Sequence, residues 1–259
     1  DWKFLDINRA IEKNIGQLDF YNDYSFQNKI DTSSFVKGLE HNKIVFINGR
    51  IEKIDFKSED SNKIEIIEES NLSNKFNNIN SLINLNNAFA NKNYKINVKE
   101  NYSLKKPLIV YHLTSNKIYK KNINLRLDFK LESNSSLRLI DYFEDDSKDN
   151  FINIFYNFDL EKDSSLKNYK IDHKDNKNVK YSFNNIDQKE NSISETFILS
   201  SGSSFFKNEI NCDLNGKYSS AFVNGIFKLE DFKNHEIKTN INHLTENTKS
   251  YQLIKSVLG

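Results

Sequence analysis

From residue 195 to residue 259 the chain alternates apolar and polar residues in short runs, each closed by a Ser, Asn or Gly cluster. One run places Asn208, Ile210, Cys212 and Leu214 on one side and Glu209, Asn211 and Asp213 on the other. A period of two marks strands half buried against a core. The runs are closely spaced and seldom separated by a helical pattern, which favours stacked strands of a solenoid or sandwich over βαβ units. Upstream, Lys43–Arg50 and Lys63–Glu68 read as a strand pair, with Asp60-Ser61-Asn62 turning into the second strand. Leu82, Leu85 and Phe89 give the segment Asn80–Asn91 a helical spacing. Lys95–Val98 and Leu108–His112 open the strand series that runs to the end. Residues 1–35 mix aromatic and charged side chains without a period and read as a short helical or irregular lead-in.

An internal repeat supports stacking. Glu132-Ser133-Asn134-Ser135-Ser136-Leu137-Arg138-Leu139 recurs as Glu161-Lys162-Asp163-Ser164-Ser165-Leu166-Lys167-Asn168, and Ser200-Ser201-Gly202-Ser203-Ser204-Phe205 reads as a looser third copy. A polar turn leading into a strand, repeated at intervals of about 30 to 40 residues, is what successive coils of a β-helix show. Periodicity alone leaves an antiparallel sandwich with Ser-rich turns open as well.

Composition narrows the function classes. A net charge of +1 over 259 residues gives no electrostatic reason for nucleic acid or an anionic membrane as partner. No apolar run approaches the roughly 20 residues a membrane helix needs. Cys212 is the single cysteine, so an internal disulfide is excluded and a cytoplasmic setting is expected. The sequons at Asn71, Asn101 and Asn134 read as accidents of an Asn-rich chain. With 7 Gly and 1 Pro, the turns must rely on Asn, Asp and Ser. The chain has no methionine and ends directly after an apolar stretch at Leu258-Gly259, so it reads as a partial chain cut at both ends.

The same segments carry a family resemblance. Ser200-Ser201-Gly202-Ser203, Lys207-Asn208-Glu209-Ile210-Asn211, Asp213-Leu214-Asn215-Gly216, Val223-Asn224-Gly225-Ile226, Asn242-His243-Leu244 and Asn247–Lys255 resemble the SufB/SufD family of iron–sulfur cluster assembly proteins, most like its SufD branch. Weaker matches are Asp1-Trp2-Lys3-Phe4, Val45-Phe46-Ile47-Asn48-Gly49-Arg50 and Leu85-Asn86-Asn87-Ala88-Phe89-Ala90. The resemblance implies an all-β fold, a right-handed parallel β-helix. Residues 1–90 would form the lead-in with a strand pair and short helix, and residues 91–259 a β-helix core truncated at its C-terminal end. It implies a non-catalytic scaffold subunit of a SufBCD complex, pairing with a SufB-like subunit. A SufC-like ATPase would bind through C-terminal helices beyond residue 259. The chain alone would bind no cofactor, and an iron–sulfur cluster would sit at the interface with SufB. The alternative from another class is a carbohydrate-active or adhesive β-helix protein, with Tyr and Phe as stacking surfaces. Its weakness is a lack of paired carboxylates with nearby arginine, which occurs only at positions 9, 50, 126 and 138.

No constellation announces catalysis. Asp145, Ser147 and Asp149 resemble the start of a calcium loop, but Asn150 and Tyr156 stand where its glycine and bidentate glutamate belong. Ser201-Gly202-Ser203-Ser204-Phe205 lacks the second glycine of a nucleophile elbow. Cys212, His235 and His243 are the possible metal ligands of the C-terminal block, with Cys212 and His243 the weak candidates. The bland expectation is a buried inert thiol at Cys212 and a structural hydrogen bond at His243. No catalytic or cofactor-binding residue is assigned.

Overall fold

The computed structural model describes residues 9, 11–12, 19–20, 35–69, 80–230 and 233–259. The lead-in expected over residues 1–35 lies almost wholly outside them. The first half of the chain forms β1 (Asp19–Phe20), β2 (Asn42–Ile47), β3 (Arg50–Asp55), β4 (Ile64–Glu69), helix α1 (Ser81–Phe89), β5 (Asn93–Val98), β6 (Leu108–Thr114) and β7 (Lys121–Leu131). The rest forms β8 (Ser136–Asp145), β9 (Phe151–Leu160), β10 (Ser165–Asp172), β11 (Asn176–Gln188), β12 (Ile193–Ser200), β13 (Ser203–Leu214), β14 (Ser220–Leu229), β15 (Asn234–His243) and β16 (Lys249–Leu258).

From β5 onward, successive strands alternate between two sheets. One sheet runs β15-β13-β11-β9-β7-β5-β4 and the other β16-β14-β12-β10-β8-β6-β2-β3. Apart from β3 and β4, the stacked neighbours in each sheet are parallel, so the chain winds as a β-solenoid of about six coils. Ser136 lies opposite Ser165, Ser165 opposite Ile193, Ile193 opposite Ser220 and Ser220 opposite Lys249, steps of 29, 28, 27 and 29 residues. The expected parallel β-helix is therefore the observed fold, and the antiparallel sandwich is excluded.

The repeat noted in the sequence is structural, because Ser136, Leu137, Arg138 and Leu139 pair with Ser165, Leu166, Lys167 and Asn168. The third copy requires correction. Ser203 opens β13 in the other sheet, opposite Asn176, so the Ser200–Phe205 segment is a different corner of the coil. The true later copies of the turn are Asn191-Ser192, Tyr218-Ser219 and Asn247-Thr248. There the backbone turns left-handed at φ 57, 63 and 60, as it does at Asn134 (56) and Asp163 (58). Asn and Asp tolerate this region best, because their short polar side chains bond locally. The hydroxyl that follows closes the turn on the carbonyl three residues back: Ser164 on Glu161 (2.6 Å), Ser192 on Lys189 (2.7 Å) and Ser219 on Gly216 (2.7 Å). Asparagine also stacks along the coils. Asn185 donates to Asn157 (3.0 Å), Asn211 to Asn185 (3.2 Å) and Asn240 to Asn211 (2.8 Å), one ladder on one outward column.

The pairing expected between Lys43–Arg50 and Lys63–Glu68 does not occur. β2 turns through Asn48-Gly49 into β3, an antiparallel hairpin, and β4 pairs antiparallel with β5 in the opposite sheet. Two positive-φ residues (51 and 81) make this turn the kind that matches strand twist. β3 and β4 thus flank the first coil in antiparallel sense. The helix is found where expected. Asn80 caps α1 by accepting from the Ile83 amide at 2.9 Å. Asn86 pins α1 to the sheet by donating to the carbonyls of Leu125 (3.1 Å) and Asn153 (3.0 Å). Leu82 and Ile83 then cover Phe151, Phe155, Val179 and Tyr181 on that sheet's outer face. The solenoid interior is filled by inward side chains such as Leu127, Phe129, Leu139, Phe158, Leu166 and Leu214.

Candidate functional site

One region of that interior is not apolar. Inward positions on β8 read Leu137, Leu139, Asp141, Phe143 and Asp145, and those on β10 read Leu166, Asn168, Lys170 and Asp172. Register sets Asp141 opposite Lys170 and Phe143 opposite Asp172. Facing them from the other sheet are Tyr156 of β9 and Lys180 of β11, and β6 adds His112 one coil earlier. All are buried, with Lys170 and Lys180 at 1% and 2% exposure. Charges this deep persist only when paired and hydrogen-bonded.

The groups form two clusters. In the first, Asp141 accepts from Lys170 Nζ (3.0 Å), Tyr156 Oη (3.1 Å) and His112 Nε2 (3.1 Å). Lys170 also stands over the Tyr156 ring, 3.4 Å from its centre. In the second, Lys180 Nζ lies 2.5 Å from Asp145 and 2.9 Å from Asp172. Asp145 accepts from Thr114 Oγ1 (2.8 Å), and Asp172 from the Ser203 hydroxyl (2.6 Å) and amide (3.2 Å). Phe143 separates the clusters, stacked on His112 at 4.6 Å and lying under Lys180 at 4.7 Å. Gly202 enters β13 against Asp172. A Cβ there would stand 2.4 Å from the Lys174 carbonyl and 2.8 Å from Asp172 Oδ1, so only glycine permits this corner.

The electrostatics follow from burial and pairing. Burial alone would raise Asp141, but the Lys170 charge and the His112 bond outweigh it and hold the carboxyl below its usual range. Burial likewise opposes ionisation of Asp172, and Lys180 with Ser203 reverses the balance. Burial pulls Lys170 down against the pull of Asp141, whereas two carboxylates overcome burial at Lys180 and raise it. Burial keeps His112 neutral and drives the Tyr156 phenol well up. The result is a fixed array of buried ion pairs.

Cys212 projects inward from β13, buried, and its thiol donates to Gln188 Oε1 at 3.3 Å. Burial pushes that thiol up to about 12, so it is protonated at neutral pH. His243 lies on the adjacent strand, two register positions beyond the Cys212 partner Ile241. It is exposed, with both ring nitrogens on hydroxyls, Thr248 at 2.6 Å and Ser250 at 3.0 Å. In register, His243 stands two positions beyond the residue opposite Cys212 and His235, opposite Phe206, six positions before it. His235 bonds Ser200 Oγ (2.9 Å) and the Ser203 carbonyl (2.7 Å). Among the described residues, no group of three or more His, Cys, Asp or Glu is placed to hold a metal ion. The turn read against a calcium loop points inward instead, since Ser147 donates to Thr114 (2.7 Å) and Asp145 pairs with Lys180. A strand, β13, follows Ser201-Gly202, so that segment is a corner and no nucleophile elbow.

The fold defines a class, the two-sheet parallel β-solenoid with polar groups built into its interior. Within that class, the model of the SufBD core domain of SUF system FeS cluster assembly matches residues 112–259, more than half of the chain. The chain belongs to this family, which places it in SUF iron–sulfur cluster assembly. Comparison with curated proteins finds no match. No helix among the described residues is long and apolar enough to cross a membrane.

Proposed function

We propose that the chain is a non-catalytic scaffold subunit of the SufD branch, pairing with a SufB-like subunit and working with a SufC-like ATPase in the cytoplasm. The single observation carrying the branch is the thiol inventory. The one cysteine is buried, protonated and committed to Gln188, so this chain has no thiolate to offer an iron–sulfur cluster. A cluster is cargo here, met at the junction with a partner that supplies the cysteines. Of the two weak candidate ligands, Cys212 is buried and His243 exposed, so His243 is the one that could face such cargo. The solenoid supports a scaffold role because its interior ion pairs and stacked ladders fix one register over many coils. The last strand, β16, presents Tyr251, Leu253 and Val257 to solvent, apolar surface of the kind a partner subunit covers. The test is co-purification with SufB-like and SufC-like proteins of the same source, followed by anaerobic reconstitution. A stoichiometric complex carrying an iron–sulfur chromophore is expected. A well-folded chain that associates with neither protein sinks the reading.

A further inference from the structure

Residues 35–41 lie as a strap over the outer face of β2 and β6. Phe35 and Val36 pack on Val45, Ile47, Ile109 and Tyr111, with the Phe35 ring 4.7 Å from that of Tyr111. At the strap's other end Glu40 pairs with Lys106 at 2.7 Å, and His41 leads into β2. His41 and Tyr111 are buried, at 6% and 0% exposure. One chain of hydrogen bonds ties the two ends together. His41 Nδ1 stands 2.6 Å from the Leu39 carbonyl. A carbonyl only accepts, so Nδ1 carries the proton and the neutral ring keeps a lone pair at Nε2. Tyr111 Oη, 2.9 Å away, donates to that lone pair and accepts from the Val36 amide at 3.0 Å. Each donor in the chain then has its acceptor.

A second proton on the ring breaks this order. An imidazolium donates at both nitrogens, so Nε2–H points at Tyr111 Oη and the buried phenol hydrogen loses its acceptor. Among the described residues, Tyr111 Oη has no bonded partner other than Val36 and His41. Leaving a buried donor unpaired is costly. The surroundings add to the cost. Burial comes first, and the Lys43 and Lys57 charges join it in holding the ring below its ordinary value of 6.5, against the Leu39 bond and Asp55. Asp55 is itself engaged by Lys43 at 3.5 Å, and Glu40 on the strap by Lys106. β6 and β8 bring the neutral phenols of Tyr111 and Tyr142 to the same patch.

We propose that residues 35–41 form a pH-sensitive latch: neutral His41 closes the strap over the sheet, and protonated His41 releases it, uncovering Val45, Ile47, Ile109 and Tyr111. That patch adjoins Ile140 and Tyr142 of β8, so acid lengthens the apolar strip on this face. A lifted strap leaves His41 with its ordinary value, and a closed one holds it lower. Opening is therefore independent of pH above about 6.5 and grows by up to about tenfold per pH unit below it, until the closed-state value is passed. The inference is independent of any partner or cargo.

Hydrogen exchange of the Val36 amide, followed by NMR, reads the latch, because that N–H is bonded to Tyr111 only while the strap is closed. Corrected for intrinsic exchange, its protection should stay level from pH 8 to about 6.5 and fall by up to about tenfold per unit below. Amides inside β8 report opening of the whole fold and should stay far better protected throughout. His41→Gln keeps an acceptor for Tyr111 and a donor for Leu39 but takes up no proton. Its Val36 protection should not depend on pH between 8 and 5. Tyr111→Phe removes the acceptor and should leave the Val36 amide weakly protected at every pH. Level protection below pH 6.5 in the parent chain overturns the proposal. So does a His41→Gln chain that keeps the parent's pH dependence, a Val36 amide that exchanges only together with those of β8, or a His41 ring that titrates at or above 6.5.

Discussion

Replacing Lys180 by methionine tests whether the interior ion pairs hold the fold. The ammonium lies 2.5 Å from Asp145 and 2.9 Å from Asp172, and all three side chains are at most 2% exposed. Methionine keeps the length and apolar stem but leaves two carboxylates facing each other without a cation. Removing one partner of a buried pair costs about 3–5 kcal/mol, because the remaining charge stays desolvated. That is a large share of the roughly 5–15 kcal/mol by which domains are stable. Thr114 and Ser203 cannot compensate, since they already donate to these carboxylates in the native chain. The triple variant Lys180→Met, Asp145→Asn, Asp172→Asn removes both orphaned charges and keeps acceptors for Thr114 and Ser203. It should recover at least half of the loss. Lys162→Met is the control. Its pair with Glu190 at 3.2 Å is half exposed on both sides, so its removal should change stability by less than about 1 kcal/mol. Urea unfolding followed by far-ultraviolet circular dichroism measures all three variants against the parent chain. A loss below about 1 kcal/mol for Lys180→Met, or a triple variant no better than the single, would show that these pairs do not hold the fold.

Stability should also fall with acid earlier than carboxylates alone require. Burial holds both His112 and His235 below the ordinary imidazole value of 6.5, so each contributes stability that is present above that value. It is lost as pH falls toward the folded values, at up to about 1.4 kcal/mol per pH unit for each proton taken up. The contributions of Asp141 and Asp172, whose carboxyls are held low, fade only at more acidic pH. Unfolding midpoints that stay level from pH 8 to pH 5 would contradict this. Gly216→Ala should destabilise by at least about 3 kcal/mol, the upper range for overpacking, because its Cβ would stand 1.9 Å from the Glu190 amide in the coil beneath. Unchanged thermal melting of the G216A variant would show that the turns are not stacked this closely. Cys212 should react with a disulfide reagent only at the rate of unfolding, since its thiol is buried and raised to about 12. Rapid labelling of the native chain at pH 7 would remove the argument that this chain offers no thiolate.

The fold was legible where a short pattern repeats and illegible where pairing spans distance. Alternation from Asn208 to Leu214 placed every side chain of that run on the correct face, and the Ser136/Ser165 repeat stated the coil length. The hairpin between β2 and β3 was missed although Asn48-Gly49 between alternating apolar runs is a strong short-range turn signal. Its strand Arg50–Asp55 is charged and weakly buried, so it lacked the apolar face that drew attention elsewhere. β4 could not be assigned its partner because β5 follows only after a long insertion containing α1, a non-local pairing that no local pattern encodes. The misplaced third copy has a related cause. Every coil has two or more polar corners, and Ser-rich composition does not say which corner a segment forms.

The interior charges show how far a recognised repeat could have been carried. The offset of 29 residues that aligns Ser136 with Ser165 also aligns Asp141 with Lys170, and both fall in phase with inward leucines. A charged residue in the apolar phase of a strand, opposite its counter-ion one coil later, is a buried ion pair written in the sequence. The rest of the site required a different kind of information. Tyr156 and Lys180 arrive from the facing sheet, and His112 from a coil whose step to the next is 31 residues. Steps between stacked strands vary from coil to coil, and an error of one residue moves an inward side chain to the outside. Contact across the interior depends further on how closely the two sheets approach, which the side chains between them set jointly. Pair formation along a sheet was therefore within reach of the sequence, whereas joining the pairs into one array required the packed structure.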